Sequence, residues 1–402
     1  MKGAGMRVAV AGAGIGGVAA ALALARRGAE VLLLEQAAEL GEVGAGLQIG
    51  PNGVAVLAAL GLGPAAEARA TRPEAVLLRD GLQGDAVARL PLGDVCLRRY
   101  GRPYWQFHRA DLLGVLVEAA REAGVDIRTG ARVEAVAETG AELRIELAAG
   151  GAVAADAVIA ADGVRSGIRA ARFGGATPQF AGAVAWRGLV PAERLPAGLL
   201  PEAASVFMGP GRHLVAYPLR GGSVWNFVAV EERAAWAEEG WSRPADPAEL
   251  RAAFAGWAPP VARLLAAVEE TFLWGMFLHP PLPRWTRGRV ALLGDACHPM
   301  TPFLAQGAVM ALEDAWVLAE ALAEAPDIPA GLAAYAARRQ ARAARVQAAA
   351  ARNGRIYHLR PGPLRAAAWL GLRTVSRLAP DRLLGRFDWL YGVDVTDDGA
   401  TV

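Results

Sequence analysis

Three groups of residues in this 402-residue chain have types and spacings suited to chemistry. The first is a glycine turn, Gly12-x-Gly14-x-x-Gly17, set between Arg7-Val8-Ala9-Val10-Ala11 and an alanine- and leucine-rich run from Val18 to Arg27. In such a turn the first glycine permits the tight bend, the second lets backbone approach a pyrophosphate, and the third lets helix pack on strand. Glu35 follows 18 residues after Gly17, at the end of an apolar run, where a carboxylate can accept from a ribose hydroxyl. The second group is Gly294-Asp295-Ala296-Cys297-His298-Pro299, directly after Arg289–Leu293, with Gly307 opening a long helix beyond it. An acid leaving a strand end at a glycine, ahead of a proline-containing loop, shapes a second place for ligand approach. The third is His213 and Tyr217, four apart in the strand-like run Gly211–Pro218. Residues i and i+4 of a strand share a face, so both side chains can enter one pocket.

These groups need elements to position them. Strand, glycine turn, helix, then the strand Glu30–Glu35 make the βαβ unit of a parallel nucleotide-binding sheet. Arg109–Ala123 carries a helical stripe of Leu112, Leu113, Leu116 and Val117, and three or four short strands are expected between Asp126 and Ile159. The pattern then changes to alternating strands at Ala183–Val190, Ser205–Met208, His213–Leu219 and Val224–Val230, the signature of an inserted antiparallel sheet. Helical stretches follow at Pro247–Ala255 and Val261–Ala267. Val290–Leu293 returns the chain to the parallel sheet before long helices at Ala305–Ala323 and Ile328–Arg352. The expected fold is α/β: a discontinuous Rossmann-like domain over 1–178 and 284–358, an antiparallel-sheet substrate domain over 179–283, and a C-terminal helical tail over 359–402. The tail is amphipathic and arginine-rich from Pro361 to Trp389. It is expected to pack on the body rather than lie on a membrane surface.

Composition removes several classes. With 54% hydrophobic residues and 20% charged, the chain is not disordered. A net charge of +2 lacks the basic excess of a nucleic-acid binder. Val8–Ala25 is uncharged over 18 residues, the length of a short membrane span, but it holds four glycines and is better explained by the nucleotide turn. No membrane span and no signal peptide are expected. Cys96 and Cys297 build neither a disulfide framework nor a zinc site, which fits a reduced, cytoplasmic protein. The histidines at 108, 213, 279, 298 and 358 show no metal-ligand spacing, so no metal is expected. The acid at Glu35 fits FAD or NAD and disfavours a ribose 2′-phosphate. A single fingerprint means one dinucleotide bound permanently, any other cofactor visiting by a different route.

Taken together, the glycine fingerprint, Ala161-Asp162-Gly163-Val164-Arg165-Ser166 and the Gly294–Pro299 run give the chain a resemblance to the class A flavin-dependent aromatic hydroxylases. These are single-component FAD monooxygenases of the para-hydroxybenzoate hydroxylase type. His108-Arg109-Ala110-Asp111-Leu112 resembles that family's arginine-led helix start, and the likeness spans about Arg7 to Val393. The resemblance implies a Rossmann-like FAD-binding domain, bound FAD, transient NADH or NADPH, and O2 with a small aromatic acid as co-substrates. It places Glu35 at the adenosine ribose, Arg109 near the flavin phosphates or ribityl chain, and Asp295 on the ribityl hydroxyls. Gly307, Ala308 and Val309 would offer backbone N–H groups to the isoalloxazine, which carries negative charge when reduced. Asp162 and Gly163 would serve both FAD and the visiting nicotinamide, while Ile15, Gln36, Gly46 and Val133 complete the expected cofactor contacts.

Within the family, Leu304–Ala315, Gly44-Ala45-Gly46-Leu47-Gln48-Ile49 and Asp388-Trp389-Leu390-Tyr391-Gly392 resemble the 3-hydroxybenzoate, salicylate and 6-hydroxynicotinate monooxygenase branch. The expected reaction is hydroxylation of an electron-rich aromatic acid by a flavin hydroperoxide. A ring hydroxyl with a pKa of about 10 must then share or lose its proton to a base, and histidine is the natural candidate. On the residues alone, His213 capping a sheet edge and Tyr217 packing in a core are preferred. The resemblance reverses that preference and makes them the catalytic pair. Gln48 and Pro302 stand where branch members carry a histidine and a glutamine, so they are substrate-pocket candidates, as is Trp225. Arg187 and Arg212 are candidates for a substrate carboxylate. Glu313-Asp314 is expected on a helix surface or beside arginines, and Cys297 as a packing thiol next to a backbone-ordering His298. A same-fold epoxidase or tailoring oxygenase of a larger polycyclic compound, and a non-catalytic flavin-binding sensor, are the alternative functions. The oligomeric state is left open, a homodimer among the options.

Overall fold

The computed structural model describes residues 5–41, 46–140, 142–174, 178–236, 243–278 and 280–397. Gly44, Ala45 and His279 therefore lie outside the described residues. Along the chain come β1 (Arg7–Ala11), β2 (Glu30–Leu34), β3 (Gly46–Ile49), β4 (Ala75–Asp80), β5 (Ala86–Pro91), β6 (Trp105–His108) and β7 (Asp126–Arg128). Next are β8 (Val133–Thr139), β9 (Glu142–Leu147), β10 (Ala152–Ala155), β11 (Ala157–Ala160), β12 (Gln179–Pro191) and β13 (Ala204–Gly209). They are followed by β14 (Arg212–Leu219), β15 (Val224–Glu232), β16 (Arg243–Ala245), β17 (Thr271–Leu278), β18 (Thr286–Arg287) and β19 (Val290–Leu292).

The apolar runs at β1, β11 and β19 have the continuous hydrophobicity of strands covered on both faces. They form a sheet in the order β18-β19-β11-β1-β2-β7, parallel except for the β18–β19 hairpin. Helix Ile15–Ala25 follows β1, and its small residues let it pack closely against helix Gly307–Glu324. A Cβ at Gly16 would come within 2.8 Å of the Ala311 side chain, so the crossing tolerates nothing larger. Five strands, β7 to β11, occupy the region where three or four were expected. Three of them, β8, β9 and β10, fold into a separate small antiparallel sheet.

The expected inserted strands appear as β12 to β15, in a sheet ordered β16-β17-β12-β15-β14-β13-β4-β5. That sheet is not confined to 179–283. β4 pairs parallel with β13, and β5 pairs with β4, so two strands from well before the insertion complete it. Parallel pairing between segments more than 120 residues apart leaves no local turn signal to read. The outer face of this sheet packs Trp186, Leu214 and Phe227 against helices Pro247–Ala253 and Pro259–Ala266. The C-terminal tail breaks into helices Pro363–Leu378, Pro380–Gly385 and Asp388–Tyr391. The first docks through Trp369 on Val87, Val206 and Met208, while Arg365 pairs with Asp80 at 3.0 Å. Among the described residues no helix is long and apolar enough to cross a membrane.

Candidate active site

A cavity of about 340 Å³ opens between the parallel sheet and the inner face of the large antiparallel sheet, and both contribute to its lining. From the nucleotide side come the glycine turn, Gly163, Asp295 and the start of helix Gly307–Glu324; from the sheet side come Arg187, His213, Val215, Tyr217, Val228 and Trp274.

The three fingerprint glycines divide their work as their spacing predicts. Gly12 has φ +102°, and a Cβ there would lie 2.4 Å from the Ala161 carbonyl oxygen; one at Gly17 would lie 1.9 Å from that of Gly12. Gly14 differs, because a Cβ would meet nothing within 4 Å and the residue lines the cavity. Glu35 leaves β2 toward this turn, its Oε2 accepting from the Ala13 N–H at 2.7 Å and its Oε1 from the Ala37 N–H at 2.8 Å. Each oxygen keeps a second lone pair for a hydroxyl. Its main-chain carbonyl accepts from Ala131 N–H at 2.7 Å, which brings the strand start at Val133 close to the Glu35 end of β2. Gln36 is exposed beside it.

At the other end, the first backbone bond of helix Gly307–Glu324 runs from Met310 N–H to the Gln306 carbonyl at 2.8 Å, and no side chain caps that end. The Gly307, Ala308 and Val309 N–H groups are left outside the helical ladder, as the first N–H groups of any helix are. Gly307 and Ala308 line the cavity, and a Cβ at Gly307 would enter open space. Val309 turns its side chain inward onto Gly53. Arg109 opens helix Arg109–Glu122 and lines the cavity with Asp295. Burial raises the Asp295 carboxyl and lowers the Arg109 guanidinium, each opposed by the other's charge. Asp162 Oδ1 is buried with no hydrogen-bond partner among the described residues, and burial raises the carboxyl's pKa. Two open glycine positions, three free helix N–H groups, an orphaned carboxylate oxygen and a half-buried arginine and carboxylate, Arg109 and Asp295, suit a pyrophosphate, a polyol chain and a ring that accepts hydrogen bonds. This donor set fits FAD.

Behind these loops lies a buried charge network, in which Glu313 and Asp314 take the second of their two expected places, beside arginines. Glu313 and Asp314 are not on a helix surface; both are fully buried. Glu313 is held by Arg339 at 2.7 Å, Arg342 at 2.7 Å and Asn52 at 2.7 Å; Asp314 is held by Arg339 at 2.8 Å and His298 at 2.5 Å. Their helix is covered on both sides, by Ile15–Ala25 and by Ile328–Tyr357, so its periodicity could not reveal an exposed face. His298 is more than a backbone-ordering residue. Burial opposes its charge, but the Asp314 carboxylate outweighs this and raises its pKa well above the usual value. Cys297, His298 and Asp314 lie within metal-ligating reach of one another. Asp314 is already committed to Arg339, and the Cys297 thiol donates to the Gly294 carbonyl at 3.3 Å, so the cluster works as an ion-paired brace for the Asp295 loop.

On the substrate side, His213, Val215 and Tyr217 alternate onto one face of β14, as the strand period requires. Their register partners carry the face outward: Val215 pairs with Val228, and Val228 with Arg187. Trp225 sits three residues from Val228 and so faces the opposite side, in the outer core with Phe227 and Trp186, not in this cavity. Trp274, the cross-strand partner of Ala185 beside Arg187, takes the aromatic role, its ring centroid 5.2 Å from the guanidinium. Arg187 is buried, and burial followed by the nearby Arg109 charge lowers its pKa to about 10. Arg212 points elsewhere and pairs with Glu231 at 2.8 Å. Gln48 lines the cavity and accepts from the Tyr104 hydroxyl at 3.0 Å; Pro302 also lines it. Gly46 donates its N–H to Asn226 Oδ1 at 2.7 Å, and a Cβ there would strike the Tyr217 hydroxyl at 2.5 Å. Burial keeps Tyr217 protonated and lowers His213 well below an ordinary histidine, a neighbouring His358 adding to the effect. His213 is therefore neutral at physiological pH, the state of a base.

The family model described as "FAD binding domain" matches residues 5–350. The chain is 39% identical over 396 residues to the 3-hydroxybenzoate 6-hydroxylase of Polaromonas naphthalenivorans, covering 98% of this chain and 97% of that protein. It is 38% identical over 396 residues to a 3-amino-4-hydroxybenzoate 2-monooxygenase of Streptomyces platensis, covering 98% of each. Among solved structures, HpxO of Klebsiella pneumoniae complexed with FAD and uric acid superimposes with a TM-score of 0.83 at 32% identity, over 95% of each chain.

Proposed function

The chain belongs to the FAD-binding-domain family of flavoprotein aromatic monooxygenases, and we propose that it hydroxylates a hydroxybenzoate or hydroxypyridine carboxylate, with His213 as the base that activates the ring hydroxyl. It is an FAD-dependent monooxygenase of an aromatic acid. When bound and reduced by NADH or NADPH, FAD activates O2 and supplies the oxygen atom that enters the ring.

The observation that carries the proposal is one shared cavity, in which His213 and Tyr217 face the glycine turn and the Gly307 helix start. His213 takes the proton of the substrate hydroxyl and so raises the electron density of the ring. Tyr217, kept protonated by burial, donates a hydrogen bond that holds the resulting oxyanion. Arg187 offers the sheet-side cation for the carboxylate, and Trp274 a flat apolar wall for the ring. Val215, Val228, Met300 and Pro302 keep the remaining surface apolar and exclude water. Cofactor binding falls to Gly14, Ile15, Glu35, Gly46, Arg109, Asp162, Gly163, Asp295 and the N–H groups of Gly307–Val309, with Gly12 and Gly17 shaping the turn and Gln36 and Val133 at its adenosine end. In this reading 1–178 and 284–358 hold the flavin, 179–283 with β4 and β5 the substrate.

The test is the product formed by the FAD-loaded protein from 3-hydroxybenzoate, 3-amino-4-hydroxybenzoate and 6-hydroxynicotinate. A hydroxylated product from one of them supports the proposal. No product from any, with bulkier polycyclic phenols turned over instead, replaces it with the tailoring-oxygenase reading.

A further inference from the structure

His213 does not stand alone. Its Nδ1 lies 2.7 Å from Nε2 of His358, and Nδ1 of His358 lies 2.8 Å from Oε1 of Glu232. Both imidazoles are buried, whereas the Glu232 side chain is 50% exposed, so the row runs from the cavity to the solvent. We propose that His213, His358 and Glu232 form a proton relay that carries the substrate's hydroxyl proton out of the closed active site. The relay rests on the reading of His213 as the base and adds to it the route by which that base is restored.

Acceptor chemistry fixes the direction. An ionised carboxylate only accepts, so the proton between Glu232 and His358 sits on His358 Nδ1. His358 Nε2 is then an acceptor, which requires His213 to donate from Nδ1. The lone pair of His213 is thereby left on Nε2, the ring nitrogen with no hydrogen-bond partner among the described residues, on a side chain that lines the cavity. One carboxylate thus sets both tautomers, as carboxylates do for histidines elsewhere. When Nε2 takes the phenolic proton, Nδ1 passes its own to His358 Nε2, and His358 Nδ1 passes one to Glu232. The substrate becomes a phenolate, Glu232 a carboxylic acid open to water, and the histidines end neutral with both tautomers exchanged; ring reorientation or reverse transfer resets them.

The surroundings favour this route. Phe303 and Tyr357 close on the His213 ring at centroid distances of 5.2 Å each, leaving His358 as its polar neighbour. Tyr357, raised to about 12 by burial, keeps its proton. On β14 the nearby titratable groups are Tyr217 and Arg212, and on β15 Glu231, which is engaged by Arg212 and Arg233. Burial depresses both histidines, so neither traps the proton. His358 also ends the long helix Ile328–Tyr357, whose C-terminal dipole favours a passing positive charge. Gly211, at φ +65°, pins the three elements: its N–H donates to the His358 carbonyl at 3.3 Å, and its carbonyl accepts from Glu232 N–H at 2.9 Å.

The experiment mixes FAD-loaded protein with 3-hydroxybenzoate or 3-amino-4-hydroxybenzoate in weak buffer with a pH-indicator dye, and follows proton release against binding read from the flavin spectrum. Wild type should release protons as fast as it binds. His358→Gln and Glu232→Gln should bind with affinity within about twofold but release protons at least about tenfold more slowly, and imidazole in the buffer should restore the rate. Wild-type release in both variants overturns the relay, while slow release in His213→Gln alone leaves the base assignment standing. Normal release in His213→Gln, or binding of neither acid, overturns the reading of His213 itself and the relay with it. Should His358→Gln fail to hold FAD, Glu232→Gln at the exposed end decides the question alone.

Discussion

At the scale of single residues, the site depends on a few side chains whose protonation is set by where they are buried. His213 loses water on all sides and so stays neutral to lower pH than the ordinary value of about 6.5. A base must be deprotonated to act, so hydroxylation should hold its rate on going from pH 8 to 6 and fall only in more acidic buffer, with no such limb in His213→Gln. A pH profile of product formation checks this; a limb at the ordinary histidine value would contradict it. General-base loss predicts a fall of about 10²–10⁴-fold in hydroxylation for His213→Gln, and a smaller fall for Tyr217→Phe, while both variants keep FAD. The glycines predict a contrast. Gly14→Val should fold but purify without FAD, since its side chain enters only the cavity. Gly17→Ala should lower stability by about 1–3 kcal/mol, since its Cβ meets the Gly12 carbonyl. Absorbance at flavin wavelengths and thermal unfolding separate the two. Asp295→Ala should likewise retain less FAD.

At the scale of elements, the lesson concerns periodicity. The glycine turn, Glu35 and the Gly294–Pro299 loop were legible because each lies where a strand gives way to a helix or turn, and local sequence encodes that. The pairing of His213 with Tyr217 followed from the strand period alone, and the same period, applied across the β14–β15 register, puts Trp225 on the wrong face. That register is tertiary information. So is the burial of Glu313 and Asp314: a helix clamped between two others carries ion pairs inside that read as surface in one sequence. His358 and Glu232 carried no signal, being 145 and 19 residues from His213. The Glu313–Asp314 network ties helix Gly307–Glu324 to the Asp295 loop through His298, and predicts a particular fragility. Arg339→Met should cost about 3–5 kcal/mol, because it removes the cation shared by two buried carboxylates. Burial opposes both carboxylates, but their cationic partners outweigh it and hold their pKa values low. Their contribution is thus present at neutral pH and lost as pH falls through those lowered values. His298, held high, contributes below its ordinary value and loses that contribution as pH rises through the raised one. Thermal unfolding against pH should show a plateau that narrows in Arg339→Met; an unchanged profile would count against the network.

At the scale of the whole molecule, two sheets with different jobs meet at one cavity. The parallel sheet ends in loops suited to phosphates and polyols, because strand ends and helix starts offer free N–H groups there. The antiparallel sheet presents alternating side chains, so one face can be apolar core and the other a shaped wall with a base, a hydroxyl and a cation. Helix Pro363–Leu378 packs through Trp369 on Val206 and Met208, on the same face as His213 and Val215, and His358 arrives from this side. The central claim is that this junction couples reduction of a flavin to hydroxylation of an aromatic acid. The most direct measurement is NADH and NADPH oxidation by the FAD-loaded protein across hydroxybenzoates and hydroxypyridine carboxylates, with hydroxylated product quantified against reductant used. Strong stimulation by one acid, with product approaching one per reduced nicotinamide consumed, is the predicted result. Reductant oxidation that no aromatic acid stimulates, despite tightly bound FAD, would contradict it.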